Sequence, residues 1–210
     1  MLGFIKKDLL LVKANLKSLI IIFFAFIFLT INETFNLSFV LPIMGIMLFI
    51  STFSYDEYNG WNSFVASLPN GRKKAIQGKY IASIILTIIL TLISVLIYYL
   101  QVSLNNKDIM MNELINIILS SILGIVIIVS FMYPIIIKFG STNGRIWMFV
   151  MMFLIVGICG VLSNFVDLSF LINAFNKIEK YGYFLIPLVS VIMLYISYRV
   201  SLKLYENKEF

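Results

Sequence analysis

The stretch Ser54–Lys74, SYDEYNGWNSFVASLPNGRKK, lies between two long apolar runs. It carries two adjacent carboxylates, several aromatic side chains, a proline and a basic exit. Ser54-x-x-Glu57 has the form of a capping box, which predicts a helix start. Tyr58, Trp61, Phe64, Val65 and Leu68 then recur at helical spacing, on one face of a short helix over residues 56–68. Asp56, Glu57, Asn59, Asn62 and Ser63 cover much of the rest. Carboxylates in a first turn suit the positive end of the helix dipole. Pro69 stops the helix, and NGRKK turns the chain into the next apolar run.

The surroundings decide what this island is. Of 210 residues, 61% are hydrophobic, and the mean hydropathy is +1.01. Soluble domains average about 45–50% apolar. The excess is gathered in runs that approach or exceed the ~20 residues needed to cross a bilayer. The predicted fold is therefore an all-α integral membrane protein with six transmembrane helices, at 16–31, 37–53, 76–100, 114–137, 146–166 and 183–204. The polar connections are too short to hold a soluble domain, so residues 1–210 read as one transmembrane domain. The first run ends FAFIFLTINETF without a small-residue cleavage site, and reads as a retained span.

Residues 1–15 read as an amphipathic helix on the membrane surface. Phe4, Ile5, Leu9, Val12 and Leu16 share a stripe, with Lys6, Lys13 and Lys17 mostly off it. The plainer reading is a basic flank that only fixes topology. With the N-terminus inside, 13 of the 16 Lys and Arg residues fall on the inner side, leaving Lys107, Lys177 and Lys180 outside. The positive-inside rule then places both termini in the cytoplasm, in a multi-pass cell-membrane protein.

Several chemistries are disfavoured. Histidine is absent, and the single cysteine, Cys159, lies in an apolar run. This removes the commonest general base and leaves no set for a disulfide or a metal cluster. No catalytic residue, metal site or nucleic-acid partner is expected. Asp56 and Glu57 are neighbours about 100° apart on a helix and cannot share a proton. No central span position is charged, which argues against a proton- or sodium-coupled carrier. There is no G-x-x-x-x-G-K-[ST] loop, so any ATP would be hydrolysed by another chain. On physical grounds the 56–68 helix is either an interfacial anchor or a knob for a soluble partner. Its carboxylates favour the partner, because the inner leaflet is anionic.

The chain resembles permease subunits of the ABC-2 family of exporters. The likeness rests on Asp56–Tyr80, DEYNGWNSFVASLPNGRKKAIQGKY, with its acidic start, aromatic middle, LP turn and KY ending. Tyr133–Arg145, YPIIIKFGSTNGR, looks like the group's second inner loop. The nearest likeness is to the short subunits of the phenol-soluble-modulin exporter type. The resemblance implies that the helix after span two is a coupling helix docking on a separate ATPase subunit. That role would fall on Asp56, Glu57, Tyr58, Asn59, Trp61, Asn62 and Phe64, with Arg72 and Lys73 at the exit. It also implies two ATPase copies carrying ATP and Mg, no cofactor on this chain, and a second permease chain, identical or different. The seam between permeases would include Phe24, Phe28, Met44, Met47, Met148 and Met152, suited to amphipathic membrane-active peptides moving outward. Export of lipids or hydrophobic drugs is the alternative, as is a non-transporting immunity or sensor partner of an ATPase. An intramembrane enzyme acting on lipid would need a polar cluster near Asn32, Asn164 or Asn173.

Overall fold

The computed structural model describes residues 2–15, 40–104, 111–144, 146–147, 150 and 168–208, and residues 168–184 by their backbone alone. These are helical, and no strand occurs among them. Helix α1 covers residues 2–15. Then follow α2 (Val40–Tyr58), α3 (Trp61–Ser67), α4 (Gly71–Leu104), α5 (Met111–Phe139) and α6 (Leu168–Glu206). Three stretches are long and apolar enough to cross a membrane: Gly71–Leu100, Leu114–Phe139 and Leu185–Glu206. The 16–31 span, most of 146–166, and Phe24, Phe28, Met148 and Met152 lie outside the described residues. Met44 and Met47 lie on α2, with side chains outside the description.

The core is built where α2, α4, α5 and α6 meet. Tyr133 of α5 is buried, its ring 5.0 Å from Phe53 of α2 and 4.9 Å from Tyr80 of α4, both edge-on. Such edge-to-face pairs add to the burial of large apolar rings. Phe49 packs inward against the same Tyr133.

A proline sets the polar part of this core. Pro134 sits inside α5 and has no N–H to offer the carbonyl of Ser130. That carbonyl instead accepts the Ser197 hydroxyl of α6 at 2.7 Å. The Ser197 proton is thereby committed, so the Tyr80 hydroxyl donates to Ser197 at 2.6 Å and accepts from Ser201 at 2.9 Å. One missing backbone donor thus orders a hydroxyl chain across three helices.

Two expectations are corrected here. Ser54 does not begin a helix: it lies within α2, and its hydroxyl bonds back to the carbonyl of Ile50. Nothing before Gly60 breaks the helix, so the apolar run carries it on through Tyr58. The segment expected as a polar outer connection before residue 183 is helical from Leu168, which makes α6 39 residues long, about 58 Å at 1.5 Å per residue. Its Asn, Lys and Glu residues are good enough helix formers to continue the helix beyond the apolar run.

Candidate docking elbow

Gly60 makes the elbow. Its φ of 63° is left-handed, where side chains with a Cβ are strained, and it ends α2 and starts α3. The expected 56–68 helix is thus split. Asp56, Glu57 and Tyr58 close α2, and only Trp61–Ser67 form α3. Leu68, Pro69 and Asn70 turn the chain, and α4 already begins at Gly71, so Arg72 and Lys73 are helical.

The carboxylates therefore stand at the negative end of a helix, opposite to the capping expectation. Each is compensated from elsewhere. Asp56 receives Lys7 of α1 at 2.5 Å and Lys79 of α4 at 2.6 Å. Asp8 completes the group, 3.1 Å from Lys7 and 3.5 Å from Lys79. Asp8, Asp56 and Lys79 are 1%, 4% and 6% exposed. Lys79 also sits 4.2 Å from the centre of the Phe53 ring, and Lys7 4.6 Å from that of Trp61. Two cations and two anions cancel, which is what permits their burial. Glu57 does different work: its two oxygens accept the Ser141 N–H at 3.0 and 2.9 Å, and one accepts the Ser141 hydroxyl at 2.6 Å. This pins the helical turn after Gly140, beyond the end of α5, to the elbow.

The aromatic residues face two ways, although Phe64 also packs on Trp61, their rings 5.2 Å apart. Trp61 faces the protein, 6.0 Å from Phe4 of α1, and Val65 beneath it is wholly buried. Alpha-1 comes this close to α4 because Gly78 has no side chain: a Cβ there would lie 2.9 Å from that of Phe4. Phe4, Ile5, Leu9 and Val12, the stripe expected against headgroups, thus pack against the protein core. Outward point Tyr58, 89% exposed, and Phe64, 52% exposed. Phe139, at the end of α5, and Trp147 stack on one another at 5.3 Å and are also exposed. Asn59 bonds to the carbonyl of Tyr55, and Asn62 accepts the hydroxyl of Tyr205.

Of the residues singled out from sequence, Asp56, Glu57, Tyr58, Asn59, Trp61, Asn62, Phe64, Arg72 and Lys73 all lie in or beside this elbow. Tyr58 and Phe64 offer a partner most surface, while Asp56 and Trp61 hold the elbow to the body. Lys7, Asp8 and Lys79 were missed as site residues, the lysines being counted only as topology markers. Lys79 did carry a signal, as a cation within the apolar sequence AIQGKYIAS. No group of acidic, His or Cys side chains suited to a metal occurs among the described residues.

A family model described as ABC-2 family transporter protein matches residues 3–206. No curated protein and no solved structure matches the chain.

Proposed function

The chain belongs to the ABC-2 family of transporter proteins, and from that premise we propose that it is the permease subunit of an ATP-driven exporter of amphipathic, membrane-active peptides. The family makes it a membrane transport component that works with an ABC ATPase and is not catalytic by itself. In our reading α2–α3 is the coupling elbow, with Tyr58 and Phe64 as anchors for the ATPase. The observation that carries this is their exposure on an elbow that is otherwise tied down on every side. Fixed supports beneath exposed aromatic anchors suit a surface that must receive force, since interface energy concentrates in such anchors.

The elbow adjoins the start of α4 and the ends of α5 and α6, where Arg72, Lys73, Lys74, Lys138, Lys203 and Lys208 gather. That supports a cytoplasmic elbow and cytoplasmic termini in the cell membrane. Six spans, a second permease chain and two ATPases complete the proposed assembly. For the cargo, the support is apolar lining. A cavity of about 210 Å³ between α4, α5 and α6 is walled by residues such as Ile84, Ile88, Val126 and Leu194. The hydroxyls beside it, Ser83, Thr87 and Ser190, bond to carbonyls of their own helices. Nothing on that wall selects a small ion.

The test is reconstitution in nanodiscs with a candidate ABC ATPase. Hydrolysis should rise with an amphipathic helical peptide and not with a scrambled one of equal composition. Stimulation by lipid alone would replace peptide with lipid export. Failure of the ATPase to bind would overturn the permease reading of the elbow.

A further inference from the structure

The end of α6 is gripped by three other helices at once. The Tyr205 hydroxyl donates to Asn62 Oδ1 of α3 at 2.9 Å. Arg72 of α4 donates to the carbonyl of Glu206. Lys208 donates to the carbonyl of Ile137, near the end of α5, at 2.8 Å. The last carbonyls of a helix lack intrahelical donors, and its end carries partial negative charge. Two helix ends, those of α5 and α6, are thus each served by a cation from another segment. Arg72 stands in the first turn of α4, the unfavourable end for a cation on its own helix. Its place makes sense only through its neighbour. The Tyr205 ring is buried in the core while its hydroxyl reaches out to α3.

We infer that the end of α6, from Tyr205 to Lys208, is a latch that holds α3 in place and carries its displacement into α5 and α6. Tyr205, Arg72 and Lys208 are then positioning residues, and Arg72 acts inside the protein rather than on a partner. Alpha-6 packs more extensively on α5 than on any other described helix. It is also continuous over 39 residues. A push on α3 through Tyr205 is therefore delivered to the longest described helix in the molecule. The use of the latch in transport rests on the proposed docking of an ATPase at the elbow, whereas its existence does not.

The test is hydrogen exchange on the purified full chain in nanodiscs, without any ATPase. Tyr205→Phe and Asn62→Ala should each speed exchange of the α3 amides about fivefold, the ratio for loss of one hydrogen bond. The double variant should be no faster than either single one. Asn62→Asp keeps an acceptor for the hydroxyl and should exchange like wild type. Amides of residues 125–132 in α5 should be unchanged in every variant, which marks an intact fold. Additive effects, or α3 exchange unmoved by Tyr205→Phe, would overturn the latch. A normal result here beside a wild-type chain that binds no ATPase would reject the docking reading and leave the latch standing.

Discussion

Lys79, in the third turn of α4, meets Asp56 at the end of α2 at 2.6 Å, both side chains almost wholly enclosed. Removing either one leaves the enclosed quartet with one charge uncompensated, at a cost of about 3–5 kcal/mol. Lys79→Met and Asp56→Asn should each lower thermal stability in detergent by that order. The double variant should be more stable than either single one. A double variant at the sum of the two losses would contradict mutual compensation.

Glu57→Gln keeps one carbonyl acceptor and loses the charge that holds Ser141. The loss should be about 1–2 kcal/mol, within the range for a hydrogen bond to a charged group. Exchange of amides 141–144 should accelerate while α3 stays protected. A change confined to α3 would show that Glu57 serves the elbow alone.

The two aromatic sets should part under mutation. Trp61 is half-buried, so Trp61→Ala, which removes the contact with Phe4, should destabilise the chain by about 1–3 kcal/mol, less than truncation of a fully buried aromatic. Tyr58→Ala and Phe64→Ala should leave stability within about 0.5 kcal/mol. They should weaken ATPase capture at least about tenfold, the scale of an interface anchor. Titration of the ATPase onto nanodisc-held variants measures this. Full capture by a Tyr58→Ala/Phe64→Ala double variant would remove both as anchors.

Pro134 and Ser197 should be coupled. Ser197→Ala leaves the Ser130 carbonyl without a donor and should cost about 1–3 kcal/mol. Pro134→Ala restores a backbone N–H that can bond that carbonyl. Ser197→Ala should therefore cost less in a Pro134→Ala background, read by thermal unfolding of the four proteins. Equal cost in both backgrounds would separate the two residues.

Orientation can be read chemically. Cysteines at Asn106 and Asn173 should react with an impermeant thiol reagent on intact cells, and those at Asn59 and Asn207 should not. External labelling at Asn207 would reverse the assignment of the C-terminus.

What the sequence discloses and what it hides follow from the range of the forces. Apolar runs report spans because lipid acts on each run separately, and α4 and α5 extend only a few residues past the expected limits. The aromatic period marked the segment but not its shape: Gly60 splits the expected helix, and Trp61 turns inward while Tyr58 and Phe64 turn outward. The capping reading of Ser54 and Glu57 failed because a four-residue pattern says nothing of a distant acceptor or donor. Glu57 is held by Ser141, 84 positions away. Asp56 looks like a surface acid until Lys7 and Lys79 are brought to it from two other helices. Pro134 frees the Ser130 carbonyl within α5, but only folding brings Ser197 to claim it.

The quartet of Lys7, Asp8, Asp56 and Lys79 has one more consequence. A lone charge carried through the full field of a membrane exchanges about 2.3 kcal/mol per 100 mV with the transmembrane potential. Four side chains that sum to zero and travel together exchange almost none. The quartet, shifting intact, therefore draws almost no work from the voltage and loses almost none to it.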